Sequence, residues 1–124
     1  MSLRVFLVED QQRMHALLRD LFSAVGGIEV VATATTEAEA QMWLVDHRGG
    51  WDVAVIDLLL EQGSGMGVIS RCKSTNSRGR VVVFSSYASP AVRKHCRNLG
   101  ADAVFDKTES TGFIEYFVEM AAAN

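Results

Sequence analysis

The stretch Val53-Ala54-Val55-Ile56-Asp57 decides the fold: four apolar residues followed by a carboxylate. The run is short, rich in β-branched side chains and free of polar alternation. Such a segment suits a strand covered on both faces, as in a parallel sheet. Asp57 cannot share that burial, so it marks the point where the strand leaves the core. Working outward, the same figure repeats. Leu3 to Val8 is an apolar run closed by Glu9-Asp10. Arg80 to Phe84 is closed by Ser85-Ser86, and the short run Ala103 to Phe105 by Asp106-Lys107. Ile28 to Ala34 is the one run that ends in nothing chemically notable.

Helical patterns separate these runs. Met14, Leu17, Leu18, Leu21, Phe22 and Val25 form an apolar stripe at i, i+3, i+4, i+7 spacing, stopped by Gly26-Gly27. Thr36-Glu37-Ala38-Glu39 fits a capping box ahead of a helix burying Ala40, Trp43 and Leu44. Gly63 and Gly65 mark a loop before a helix with Val68, Ile69 and Cys72 on one face. Ser89-Pro90 is a helix start, and Val92, Cys96 and Leu99 follow before Gly100. The last helix carries Phe113, Phe117 and Met120. Five β-α units in a row predict one α/β domain spanning residues 1–124, a doubly wound (βα)5 flavodoxin-like fold around a five-stranded parallel sheet.

Bulk properties agree with one domain. The chain has 124 residues, 48% of them hydrophobic, and a net charge of −3. An acidic balance argues against a nucleic-acid surface. No apolar run approaches a membrane span, and the N-terminus lacks the apolar region of a signal peptide, so a cytoplasmic protein without membrane contact is expected. Cys72 and Cys96 are expected as buried thiols, and His15, His47 and His95 are too scattered for a zinc site. Trp43 and Trp51 read as core or rim residues, and Asp52 as a solvated charge at the amino end of the third strand.

In an open parallel sheet, ligands bind at the carboxyl ends of the strands, near the switch in strand order. There the sequence places Glu9, Asp10 and Asp57, with Ser85 and Lys107 beside them. Three carboxylates on one rim repel one another unless a cation sits among them. Oxygen donors without Cys or His suit a hard ion, and Mg²⁺ fits best. The hydroxyl and the ammonium then need a further reason. Both can hold the oxygens of a phosphoryl group, with an aspartate as its acceptor. Asp57, on the central strand, is the natural acceptor.

These residues together resemble the receiver domain of bacterial two-component response regulators, over essentially the whole chain. The motifs are Glu9-Asp10 after strand one, Asp57 with Gly65 a loop later, Ser85-Ser86, Gly100-Ala101 and Lys107, in order on the expected strand ends. The resemblance implies that Asp57 is phosphorylated and that Asp10, Asp57 and the backbone carbonyl of Leu59 ligate Mg²⁺. It implies that Glu9 acts on the ion through water, that Ser85 bonds the phosphoryl group and that Lys107 pairs with it. The partner it implies is a sensor histidine kinase or a phosphotransfer protein, and it allows a homodimer. The domain is expected to be a signalling module and not an enzyme, beyond its own phosphoryl transfer and autodephosphorylation. Three positions depart from the family pattern. Glu61 and Thr108 stand where proline is usual, and Val104 stands where a rotating aromatic is usual, with Phe105 expected on the opposite face.

The same residues admit other readings. Singly, Asp10 could cap the first helix and Lys107 could pair with Asp106 or Glu109 at the surface. A degenerate receiver would keep the fold as a phosphorylation-independent interaction module. A flavin- or nucleotide-binding domain would need a glycine-rich first turn, where Glu9-Asp10-Gln11-Gln12 stands. A phosphatase using an aspartate nucleophile would need a second acid two residues on, where Leu59 stands.

Overall fold

The computed structural model describes residues 2–124. Five strands alternate with five helices: β1 (Leu3–Val8), α1 (Gln12–Val25), β2 (Ile28–Ala34), α2 (Glu37–Asp46), β3 (Val53–Ile56), α3 (Gly65–Thr75), β4 (Arg80–Ser85), α4 (Pro90–Leu99), β5 (Ala103–Asp106) and α5 (Ser110–Ala123). The strands are all parallel in the order β2-β1-β3-β4-β5. The chain steps outward from β1 to β2 and then returns to the other side of β1 for β3. The switch in strand order therefore lies between β1 and β3, where Glu9, Asp10 and Asp57 emerge.

Strand side chains alternate between two cores, because successive residues point to opposite faces. Phe6, Val8, Ala54, Ile56, Val81, Val83 and Val104 pack with α2, α3 and α4 residues such as Leu44, Val68, Cys72 and Cys96. Val5, Leu7, Val53, Val55, Val82 and Phe84 pack with Leu18, Phe22, Phe113 and Phe117 of α1 and α5. Each such side chain, once buried, contributes roughly 1.5–3 kcal/mol. A sheet held by dozens of them tolerates an unfavourable charge cluster at one rim. Edge strand β2 departs from the continuous pattern, since Glu29, Val31 and Thr33 face solvent. Val104 and Phe105 fall on opposite faces, as expected.

The helix starts follow local chemistry. Thr36 Oγ1 accepts from Glu39 N at 3.1 Å. The return bond of the capping box is displaced by one residue, with Thr35 N donating to Glu39 Oε1 at 3.1 Å. Ser89 caps α4 and Pro90 begins it. Gly65 proves to be the first residue of α3 and not part of the preceding loop. In α1 the buried positions are His15, Leu18 and Phe22, while Leu17 is half exposed. The helix packs against β2 and α5 and turns only a narrow face inward, so the broad stripe exceeds what the neighbours can cover. Trp51 is buried in the core, and Trp43 stacks between Phe6 and His47. Cys72 and Cys96 are free buried thiols. Burial pushes the Cys72 thiol up to about 12, which leaves it unreactive. Among the described residues, no helix is long and apolar enough to cross a membrane.

Candidate functional site

Asp57 follows directly on β3. Its backbone N–H continues the sheet by donating to the Val8 carbonyl at 3.0 Å, which sets it beside the end of β1. Only 5% of its surface is exposed. Oδ2 accepts from Lys107 Nζ at 2.9 Å and Oδ1 from Leu59 N at 3.2 Å. Gly65 packs on its backbone: a Cβ there would stand 2.1 Å from the Asp57 carbonyl oxygen, so a side chain would force the loop off the site.

Glu9 is more enclosed still, at 2% exposure. Its Oε1 accepts from Lys107 Nζ at 3.0 Å and its Oε2 from Gln11 N at 3.1 Å. The imidazole Nε2 of buried His15 bonds the Glu9 carbonyl oxygen. Burial raises the Glu9 carboxyl above its usual range, although Lys107 and Gln11 pull the other way. Asp10 is less buried. Its Oδ2 accepts from Glu61 N at 2.7 Å. The helix-cap reading of Asp10 therefore fails, because α1 starts after Gln11 without a side-chain cap.

Lys107 extends from the loop after β5 into this group. It does not pair with Asp106 or Glu109; those side chains accept from Thr108 and Arg93 instead. Burial works against the ammonium, but the hydrogen bonds and charges of Asp57 and Glu9 outweigh it and leave its pKa above the ordinary lysine value. Lys107 is therefore a cation at any physiological pH. Ser85 is fully buried at the end of β4, with Oγ accepting from Tyr87 N at 3.3 Å. Its carbonyl accepts from Lys107 N at 3.2 Å, so the hydroxyl and ammonium loops are joined. The loop at Thr108 is closed by an Asx turn, in which Asp106 Oδ1 takes both the backbone N–H and the hydroxyl of Thr108 at 2.9 and 2.8 Å.

Glu9, Asp10 and Asp57 each offer a carboxylate oxygen, all within 4.8 Å of one another. Three carboxylates gather here and one ammonium pairs with two of them, an imbalance that a hard dication with oxygen ligands would correct. Three carboxylates without Cys or His are a donor set that fits Mg²⁺.

The family model for "Response regulator receiver domain" matches residues 5–116. The chain belongs to the response regulator receiver family. A curated relative, a protein-glutamate methylesterase/protein-glutamine glutaminase of Myxococcus xanthus, is 32% identical over 84 residues, 68% of this chain and 24% of the relative. The chain thus spans about a quarter of that protein's length. Among solved structures, the receiver domain of the putative regulator NarL from Mycobacterium tuberculosis is similar at TM-score 0.83 and 22% identity, covering 99% of this chain and 98% of that one. The response regulator domain of Thermotoga maritima CheB is similar at TM-score 0.83 and 19% identity, over 99% and 96%. The CheX–CheY–BeF3–Mg²⁺ complex of Borrelia burgdorferi contains a similar chain at TM-score 0.78 and 21% identity, over 84% and 77%. This receiver is a two-component signalling domain, and none of these likenesses favours a degenerate interaction module.

Two residues around the site carry no signal in the sequence motifs. Arg93 of α4 donates to the Ala88 carbonyl at 2.8 Å and the Val104 carbonyl at 3.2 Å, and pairs with Glu109. It ties the Ser85 loop, β5 and the start of α5 together beside the valine that replaces the family's aromatic. Glu37, which lies between the two bonding members of the capping box, reaches out of α2 to the loop after Asp57.

Proposed function

We propose that the chain accepts a phosphoryl group on Asp57 from a sensor histidine kinase or phosphotransfer protein and signals through the resulting change of shape. The observation that supports this most is the placement of Asp57: nearly buried at the switch point, on Lys107 at 2.9 Å, and within 4.8 Å of the oxygens of Glu9 and Asp10. Mg²⁺ would be held by Asp10, Asp57 and the Leu59 carbonyl, with Glu9 acting through water. When bound, the ion supplies charge neutralisation for the transferring phosphoryl oxygens.

The chain's own residues do the rest. A carboxylate oxygen of Asp57 forms the new P–O bond while the donor's P–N bond breaks and its electron pair returns to the imidazole. Lys107 offers its ammonium to a phosphoryl oxygen, which weakens its two present ion pairs. Among the described residues none accepts from Ser85 Oγ–H, and bonding the phosphoryl group would draw it away from Tyr87 N. That movement would reach Arg93, because Arg93 holds the Ala88 carbonyl of the same loop. The signal would then pass to the α4–β5 surface through the guanidinium, with no rotating aromatic at Val104.

The test is incubation with acetyl phosphate and MgCl₂, followed by intact-mass measurement of wild type and Asp57→Asn. One phosphoryl group on wild type and none on the variant is expected. Equal labelling of both would remove Asp57 from the role.

A further inference from the structure

The loop from Leu58 to Ser64 is held at both ends. At the site end, Leu59 N reaches Asp57 and Glu61 N reaches Asp10. At the far end, Ser64 N donates to Glu37 Oε1 at 2.8 Å, and Glu37 N donates back to the Gln62 carbonyl at 3.2 Å. Gln41 Nε2 steadies the other carboxylate oxygen at 3.0 Å. Room for this carboxylate exists because residue 67 is glycine: a Cβ there would lie 2.1 Å from Glu37 Oε2. Glycine inside a helix costs about 1 kcal/mol relative to alanine. α3 carries that cost at its third residue, where it leaves the Glu37 carboxylate its place.

We infer that Glu37 is a positioning residue for the metal site. It fixes the loop that presents the Leu59 carbonyl and the Glu61 N–H, and so sets how well the site is preformed for Mg²⁺. The inference rests on the proposed function. It extends that reading from the residues at the ion to a carboxylate on α2 that touches neither the ion nor the phosphoryl group. Groups that orient metal ligands from outside commonly change affinity by roughly 10–100-fold when removed. A buttress acting through one loop belongs at the low end of that range.

Mg²⁺ binding to the full chain is measured by isothermal titration for wild type, Glu37→Ala, Glu37→Gln and Gly67→Ala. Glu37→Ala should weaken Mg²⁺ about tenfold. Glu37→Gln keeps an oxygen for Ser64 N–H and should bind close to wild type. Gly67→Ala improves helix propensity yet displaces the Glu37 carboxylate, so it should weaken Mg²⁺ without loss of folding. With acetyl phosphate, the Mg²⁺ concentration for half-maximal rate should rise for Glu37→Ala and Gly67→Ala, while the rate at saturating Mg²⁺ stays near wild type. A purely structural role would lower thermal stability and leave Mg²⁺ affinity within twofold of wild type, and that result overturns the inference alone. Wild type that binds no Mg²⁺ overturns the proposed function, and the inference falls with it.

Discussion

The two ends of the same sheet treat charge differently. At the amino end, Arg4 meets Asp52 through two side-chain bonds of 3.2 and 3.0 Å, and its backbone N–H adds a third at 2.8 Å. Lys73 meets Asp102 at 2.8 Å, and Asp102 also accepts from Val81 N. Asp52 and Asp102 each have a cation and a backbone donor. At the carboxyl end, Glu9 and Asp57 share Lys107, and among the described residues Asp10 has no cation of its own within salt-bridge distance. The first arrangement is complete in itself. The second is short of positive charge, with two of its three carboxylates buried. Charge that is matched one to one belongs to the architecture; charge left unmatched beside a strand switch calls for something from outside.

The largest expected effect follows from removing the one cation of the crowded end. Lys107→Ala leaves Glu9 and Asp57 buried without a counter-charge. Breaking a buried pair from one side costs roughly 3–5 kcal/mol, and the rim position puts this variant near about 3 kcal/mol. Mg²⁺ at millimolar concentration should recover more stability in the variant than it adds to wild type, through binding to the folded state only. Arg4→Ala at the amino end should cost about 1 kcal/mol or less and be indifferent to Mg²⁺, because its pair is partly solvated. Urea denaturation with and without MgCl₂ measures each of these quantities. If Lys107→Ala costs no more than Arg4→Ala, the two ends are not different in kind.

A smaller effect, of opposite sign, is expected at Asp10. Asp10→Asn keeps an oxygen for Glu61 N–H and removes one of three like charges. Without metal the variant should be more stable than wild type by about 1 kcal/mol, the scale of a like-charge contact at a rim. The increment that Mg²⁺ gives wild type should disappear. A variant that is less stable than wild type in EDTA would mean that the carboxylates do not repel one another in the folded chain.

The fold was largely legible because apolar runs and helical stripes are local patterns, and all ten elements lie where those patterns put them. The acidic group was legible for a related reason: a carboxylate that ends a fully apolar run can only sit at a strand end. What could not be read was where long polar side chains reach. Asp52 is flanked by Trp51 and Val53 and looks like a solvated charge, yet it folds onto Arg4, 48 residues away. Glu37 and Arg93 act across the molecule through their far ends, and spacing along a helix fixes only the direction in which such a side chain sets out. His15 and Leu17 traded places in burial for a similar reason, since periodicity gives the apolar side of α1 but not the width its neighbours can cover.

The smallest effect is the pH response of the amino end, and it separates the two ends by sign. The Arg4 guanidinium, bonded to Asp52, holds that carboxyl below its usual range against the opposing effect of burial. A carboxyl depressed in the folded state stabilises the fold fully above its unfolded pKa of about 3.9, and the contribution is lost as pH falls through the lower folded value. Asp52 and Arg4 keep 32% and 41% of their side chains exposed, so solvent screening holds the contribution to about 1 kcal/mol or less. Asp52→Asn preserves an acceptor for Arg4 N–H and removes only the charge. The stability difference between wild type and this variant should be constant from pH 7 to about pH 5 and shrink toward zero below about pH 4. Glu9 runs the other way: its raised pKa means that the folded chain holds the proton more readily, so its contribution falls as pH rises above about 4.3. Urea midpoints of wild type and Asp52→Asn between pH 3 and pH 7, in EDTA, isolate the amino end from the carboxyl end. A difference that persists undiminished at pH 3 would show that Asp52 acts through its shape and hydrogen bonds, and the matched pair would then owe nothing to its charge.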